Sequence, residues 1–148
     1  MEEVVGKSLG DYDYAFISCV KTKRAYPCKA KDMYISPLFK KAYNYAVKRV
    51  PEERIYILSA KYGLIPGEKI IEPYEKTISH ARQIEQKIWS YRIIKEMNLY
   101  GISKKSKILI LAGGGYRKYI ERVLPNADCP VRGLTIGQML KFYKNETK

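Results

Sequence analysis

Short apolar runs alternate along the chain with stretches of helical periodicity. Residues 14–20, 54–60 and 107–112 are apolar runs rich in β-branched and aromatic side chains, which predicts three buried strands. The third run is continuously apolar, as is typical of a strand covered on both faces. We predict a short fourth strand within residues 128–132, and we interpret residues 61–67 as a turn.

Helices are predicted after the first two strands. Ser36 and Pro37 form a typical helix start, with a capping hydroxyl followed by proline in the first turn, and this helix extends to about Arg49. A long second helix is predicted from about His80 to Leu99, with Ser79 as its cap. The expected core-facing positions are Leu38, Ala42, Tyr45 and Ala46 in the first helix and Ile84, Ile88 and Tyr91 in the second.

The last third of the chain predicts two more helices. One follows three consecutive glycines and extends to Leu124, and Thr135 caps the other. The expected core face of the last helix consists of Ile136, Met139, Leu140 and Tyr143. Strands therefore alternate with helices, which predicts an α/β protein with a three-layer α/β/α sandwich and a mostly parallel four-stranded sheet.

Length and composition limit the class of protein. A chain of 148 residues is enough for one domain, so we expect residues 1–148 to form a single domain with a polar lead-in over residues 1–12. No apolar run approaches the roughly 20 residues that cross a bilayer, and the acidic start Met1-Glu2-Glu3 is unlike a signal peptide. We therefore expect a cytoplasmic protein with no membrane association.

The three cysteines are an odd number and show no CxxC spacing. A disulfide scaffold and a cysteine zinc site are not expected, and we predict no metal and no cofactor. The oligomeric state is left open.

The charge balance points to a polyanionic partner. Lys and Arg number 28 against 15 acidic residues, so the formal net charge is +13. A domain this basic often binds nucleic acid or a nucleotide. The alternative is the Lys-, Ile- and Tyr-rich composition of a thermophile or an AT-rich genome.

Three loops follow the three predicted parallel strands, and ligands of open α/β sheets bind beyond the carboxyl ends of the strands. We therefore expect these loops to meet in one cleft. The predicted substrate-binding residues are Ser18, Lys21, Thr22 and Lys23 in the first loop, Ser59, Lys61 and Tyr62 in the second, and Gly113, Gly114, Gly115, Tyr116 and Arg117 in the third.

The first and the third loop each have a specific expected role and an alternative. The first loop carries Lys21, Lys23, Arg24, Lys29 and Lys31, with no acid between Asp13 and Asp32, which favours a bound phosphate over a merely solvated loop. The glycine run offers backbone N–H groups to an anion, or it forms a tight turn that needs positive φ. In the segment Tyr116-Arg117-Lys118-Tyr119, an aromatic ring and a guanidinium are expected to stack on a base and hold its phosphate. The alternative is that Tyr119 packs in the core while Arg117 and Lys118 are only solvated.

Three residues are considered for catalysis. Glu72 and Glu75 flank Tyr74 in the second long connection; Glu72 is the favoured acid–base residue, and the alternative for either is a solvated loop glutamate. Tyr74 is a further substrate-binding candidate. Cys19 is either a reactive thiol beside lysines or a small buried apolar residue. His80 is the only histidine, and we interpret it as a cap or surface residue.

Several blocks of the sequence, spread over residues 14–143, resemble one family in their order and in their amino-acid residues. They are Ser-Cys-Val-Lys-Thr-Lys (18–23), Tyr-Ile-Ser-Pro-Leu-Phe (34–39), Ser-Ala-Lys-Tyr-Gly-Leu (59–64), Glu-Pro-Tyr (72–74) and Arg-Gly-Leu-Thr-Ile-Gly-Gln (132–138). The family is a YaaA-like domain of unknown function. It is loosely similar to peroxide-stress proteins of the YaaA type and to the uracil-DNA-glycosylase-like domain of archaeosine synthase. The resemblance implies a glycosylase-like α/β/α fold and contact with a nucleobase.

The same resemblance indicates an altered chemistry. Uracil-DNA glycosylases carry an Asp or Asn after the first strand and a His in a later loop, and neither residue type stands at the matching positions here. The expected function is a protein that acts on or recognises a nucleobase in DNA or RNA, by N-glycosidic cleavage or exchange or by base modification. The alternatives are a non-catalytic DNA- or RNA-binding protein and a stress-response domain for a small ligand.

Overall fold

The structure is a computed structural model that describes residues 11–147, so most of the predicted polar lead-in lies outside the described residues. Six strands and five helices are numbered in chain order. The strands are β1 (Tyr14–Ser18), β2 (Cys28–Lys29), β3 (Ile55–Ser59), β4 (Gly63–Pro66), β5 (Ile70–Ile71) and β6 (Ile108–Leu111). The helices are α1 (Ala30–Met33), α2 (Pro37–Val47), α3 (Gln83–Leu99), α4 (Gly114–Arg117) and α5 (Ile136–Glu146).

The main sheet has four strands in the order β4-β3-β1-β6. β1 lies between β3 and β6 and runs parallel to both, with Phe16 opposite Tyr56 on one side and Ile110 on the other. β3 and β6 are buried along their whole length. The three apolar runs are therefore confirmed as parallel strands, and the sheet is mostly parallel as predicted. β2 and β5 form a separate two-stranded antiparallel sheet.

The fourth strand is not the predicted one. Gly63, at φ 79°, reverses the chain after β3, and the segment interpreted as a turn returns as β4, antiparallel to β3. Residues 128–132 contribute only one bridge, between Asp128 and Leu109, before the chain turns. A tight reversal that places apolar residues beside β3 is favoured locally, whereas Pro130 interrupts pairing along β6.

Helices α2 and α5 start as the sequence predicts. The Ser36 hydroxyl accepts a hydrogen bond from the Phe39 backbone N–H at 3.2 Å. Thr135 and Gln138 form a reciprocal capping box at the start of α5. The two helices pack against each other, with the Tyr45 ring 5.5 Å from that of Tyr143.

The start and the buried face of α3 differ from the prediction. The helix begins at Gln83, with Arg82 at the N-cap position and its N–H donating to the Glu85 carboxylate at 3.2 Å, and Ser79 lies outside it. The predicted stripe of Ile84, Ile88 and Tyr91 is 55–67% exposed, whereas Gln86, Trp89, Ser90, Ile93 and Met97 are buried. α3 is apolar on two opposite faces, and its packing against β4 and α4 decides which face is covered.

The helix predicted after the glycines is also shorter than expected. It is the single turn α4, followed by bends and a 3₁₀ turn at Glu121–Val123. Within residues 11–147, no helix is both long and apolar enough to cross a lipid bilayer.

Candidate functional site

The strand order creates a crevice at the carboxyl ends of β1 and β6. After β1 the chain continues to β3, on one side of β1 in the sheet. After β6 it continues to the outer edge of the sheet, where Asp128 forms a bridge with Leu109 of β6. Neighbouring strands whose connections diverge in this way flank the usual ligand site of an open α/β sheet. We call this place the β1/β6 crevice, and residues 18–23 and 112–116 border it.

Side chains from all three predicted loops meet beside this crevice. The Cys19 thiol after β1 lies 3.2 Å from the Tyr116 hydroxyl after β6. The Ser59 hydroxyl at the end of β3 donates to the Tyr74 hydroxyl at 2.8 Å, and the hydroxyls of Tyr74 and Tyr34 lie 2.7 Å apart. We call Cys19, Tyr34, Ser59, Tyr74 and Tyr116 the hydroxyl cluster. The expected convergence of the loops is therefore present in the structure.

Hydrogen bonds from backbone N–H groups hold two members of the hydroxyl cluster, Ser59 and Tyr116, in place. Ser59 accepts a hydrogen bond from the Tyr62 N–H at 2.9 Å while it donates to Tyr74, so both of its hydrogen-bonding functions are used. The Tyr116 hydroxyl accepts from the Ile78 N–H at 3.3 Å, and its ring stands edge-on to Trp89 at 5.3 Å. Tyr116 is thus buried and contributes its hydroxyl, rather than the exposed stacking face that the sequence suggested.

The phenols of the hydroxyl cluster are neutral. Burial is the main cause that raises the pKa of Tyr34, Tyr74 and Tyr116 well above the usual tyrosine value, and the nearby Cys19 thiol adds to it. Neutral hydroxyls both donate and accept hydrogen bonds, so the members of the cluster satisfy one another, and Tyr74 is the one that is partly exposed.

Lys23 is the cation that reaches the hydroxyl cluster. Its ammonium lies 4.5 Å from the centre of the Tyr74 ring, and it donates to the Lys21 carbonyl at 3.2 Å. Partial burial lowers the pKa of Lys23, while Cys19 and Glu75 act in the opposite direction. Lys23 is therefore a partly desolvated cation, the kind of group that gains most from a bound anion.

The positive charge of the first loop is neutralised to a greater extent than the sequence suggested. Lys29 and Lys31 both pair with Glu68 at 2.8 Å, and Glu68 comes from a distant part of the chain. Arg24 donates to the Asp32 carbonyl at 2.8 Å. The expectation of five cations without a counter-charge is wrong for Lys29 and Lys31, because the fold supplies the carboxylate. Among the described residues, no carboxylate lies within ion-pair distance of Lys21 or Lys23.

The glycine run does not use positive φ. Among the described residues, the glycines at positive φ are Gly63, Gly101 and Gly133, so the interpretation of residues 113–115 as a positive-φ turn is wrong. A Cβ on Gly115 would lie 2.6 Å from the Ser79 Cα, whereas a Cβ on Gly113 or Gly114 would meet nothing within 4 Å. Gly115 is therefore required by packing, and the other two leave open space at the border of the crevice.

The remaining predicted residues lie at the border of the hydroxyl cluster or outside it. Lys21, Thr22, Lys61 and Glu72 are exposed, and the Glu72 N–H donates to the Tyr62 hydroxyl at 3.2 Å. Arg117 forms a half-buried ion pair with Glu121 at 3.0 Å, so its guanidinium is engaged within the fold. His80 is exposed, as expected.

A small cavity opens between the ends of β1 and β6. Ser18, Val20, Ala112 and Gly113 form one side of it, and the side chains of α2 and α5 close the other. Its volume of about 30 Å³ accommodates about one water molecule. A base that binds here must therefore lie against the outer loops rather than inside this cavity.

Two residues of the site were not predicted: Tyr34 belongs to the hydroxyl cluster, and Thr77 lies 3.4 Å from the Tyr116 hydroxyl. Glu75, the less favoured of the two acid–base candidates, interacts electrostatically with Lys23. Tyr34 opens one of the blocks that carry the family resemblance, which is the signal that would have identified it. Nothing in the local sequence indicates Thr77.

Comparison with known proteins identifies the family of the chain. Residues 14–145 match the model of a family of unknown function (DUF6884), and the chain belongs to this family. This agrees with the expected domain of unknown function. The searches of curated proteins and of solved structures give no match.

Proposed function

We propose that this DUF6884 member recognises a nucleobase or nucleotide in DNA or RNA at the β1/β6 crevice. The observation that carries the proposal is Lys23, whose partly buried ammonium lies over Tyr74 where three parallel strands end. A phosphate beside Lys23 would gain a charge-assisted hydrogen bond. Tyr74 is the partly exposed member of the hydroxyl cluster, and its ring and neutral hydroxyl are the part of the cluster that a base or a sugar can reach.

The loop after β6 supports the same proposal. Gly113 and Gly114 have neither a positive φ nor a close neighbour that would exclude a side chain. Glycine at such positions suits close approach of a ligand to the backbone. A planar base over Gly114 would meet backbone instead of a side chain.

A more specific proposal is that the protein is glycosylase-like, with the three-layer α/β/α fold that the resemblance implies. In that proposal Cys19 and Glu72 are the catalytic residues for cleavage or exchange of an N-glycosidic bond or for base modification. Cys19 lies in the hydroxyl cluster but is only 5% exposed, and the exposed Glu72 has no ion-pair partner among the described residues. These two observations favour non-catalytic recognition as the second candidate function.

Calorimetric titration with AMP, GMP, CMP and UMP tests recognition. At least one nucleotide should bind the unaltered protein, and Lys23→Ala should weaken that binding by about 1–3 kcal/mol, the usual loss for a charged hydrogen bond. Lys104→Ala, which removes an exposed lysine elsewhere, is the matched control and should leave the affinity unchanged. Equal affinities for the two variants would refute the proposal, and so would absence of heat with all four nucleotides together with no binding of DNA or RNA oligonucleotides.

A separate assay distinguishes catalysis from recognition. Single-stranded DNA that contains uracil is incubated with the protein, and released base is measured by mass spectrometry. Base release that is lost in Glu72→Gln or Cys19→Ala supports the catalytic proposal. Binding without release, in the unaltered protein, supports recognition alone for this substrate.

A further inference from the structure

Three cations gather around one tyrosine ring beside the crevice. The ammonium groups of Lys87 and Lys118 lie 5.5 and 5.3 Å from the centre of the Tyr119 ring, and the guanidinium carbon of Arg122 lies 4.8 Å from it. Lys87 belongs to α3, whereas the other three residues follow α4. We call these four residues the Tyr119 cluster.

The positive charge of the Tyr119 cluster is not neutralised within residues 11–147. No described carboxylate lies within ion-pair distance of Lys87, Lys118 or Arg122. The nearby Glu121 is engaged instead with Arg117 at 3.0 Å and Arg132 at 2.6 Å. The negative face of the ring attracts each cation, but the cations repel one another. A bound anion would relieve this repulsion.

The Tyr119 cluster neighbours one member of the hydroxyl cluster, Tyr116, through α3 and α4. Tyr119 follows Tyr116 by three residues, and Lys87 precedes Trp89 by two. Trp89 packs edge-on against Tyr116, whose hydroxyl reaches Cys19. The Tyr119 cluster therefore adjoins the 112–116 border of the β1/β6 crevice, whereas Lys23 belongs to the 18–23 border.

We infer that the Tyr119 cluster binds backbone phosphates of a single-stranded nucleic acid whose base occupies the β1/β6 crevice. The inference rests on the proposed function and names its substrate class as a polymer rather than a free nucleotide. A free nucleotide carries its phosphate at one place, whereas Lys23 and the three cations surround different rings, Tyr74 and Tyr119. A single strand supplies phosphates on both sides of an unpaired base.

Fluorescence anisotropy with a labelled 15-nucleotide oligo(dT), a 15-nucleotide RNA and a 15-base-pair duplex tests the inference. The variant Lys87→Ala/Lys118→Ala/Arg122→Ala removes the three cations. The control Lys104→Ala/Lys105→Ala/Lys144→Ala removes the same charge from three exposed lysines elsewhere. Each phosphate contact contributes about 0.7 to the slope of log affinity against log salt for single strands.

The cluster variant should bind a single strand at least about tenfold more weakly at 0.1 M salt, with a salt slope smaller by about 2. The control should change less than threefold, and circular dichroism should show both variants folded. Equal losses in the two triple variants, or preference for the duplex, would overturn the inference. Nucleotide titration separates the two proposals. If a nucleotide binds and the oligonucleotides do not, only this inference is refuted. If neither nucleotides nor oligonucleotides bind, the proposed function is refuted as well.

Discussion

Gly115→Ala tests how the hydroxyl cluster is held together. The added Cβ would lie 2.6 Å from the Ser79 Cα and 2.9 Å from the Ser79 carbonyl oxygen, so the backbone must move by about 1 Å to reach normal contact. Overpacking of this kind costs about 1–3 kcal/mol, and replacing glycine by alanine recovers about 0.4–1 kcal/mol through the unfolded chain. We expect a net loss of about 1–2 kcal/mol.

The displacement should also reach the site. Ile78 donates its N–H to the Tyr116 hydroxyl at 3.3 Å and accepts from the Gln86 side chain at 3.0 Å, and both contacts lie next to Ser79. The protein has one tryptophan, and Trp89 packs against Tyr116. The fluorescence of Trp89 therefore reports the altered packing directly.

Urea unfolding followed by tryptophan fluorescence measures both effects. Gly114→Ala is the control, because its Cβ meets nothing within 4 Å, and it should be neutral or more stable by up to about 1 kcal/mol. The melting temperature of Gly115→Ala should fall by about 2–8 °C, at 2–4 °C per kcal/mol for a chain of this size. Equal stability of the two variants, with an unchanged native Trp89 spectrum, would refute the reasoning.

Three further predictions concern the buried face of α3, the Glu68 ion pairs at acid pH and Lys23 at alkaline pH. Ile93→Ala should lose about 2–5 kcal/mol of unfolding free energy in urea, whereas Ile88→Ala should lose under about 0.5, because Ile93 is fully buried and Ile88 is 64% exposed; equal losses would contradict the assigned face. Hydrogen bonds from Lys29 and Lys31 lower the pKa of Glu68 to about 2, from 4.5 when the carboxyl is unpaired. The stabilisation of the folded state by these ion pairs is therefore complete above about pH 4.5 and is lost as the pH falls towards 2. Melting temperatures of Glu68→Gln and the unaltered protein should therefore differ at pH 7 and converge near pH 2, and a constant difference would count against the ion pairs. Nucleotide affinity should fall as the pH rises through the lowered pKa of Lys23, where the ammonium loses its charge; in calorimetry, Lys23→Ala should lack this fall, and a fall of equal size in the variant would assign it to another group.

The errors at α3 and at β4 have one physical origin. α3 carries apolar residues on two opposite faces, so its periodicity alone does not decide which face is buried. β4 was interpreted as a turn because its pairing depends on a reversal at Gly63 and on the neighbouring β3. In both places the local pattern is compatible with two structures, and a contact with another element selects one.

The sequence by itself determined the three parallel strands, the starts of α2 and α5 and the three loops that meet beyond the strands, because burial periodicity and helix caps act within a few residues. Only the tertiary structure decided that Glu68 neutralises Lys29 and Lys31, that Tyr34 joins the hydroxyl cluster, and that Tyr116 turns inwards against Trp89. These features join side chains that lie far apart in the chain. Their hydrogen bonds and ion pairs form only when the packed sheet and helices bring the partners within a few ångströms.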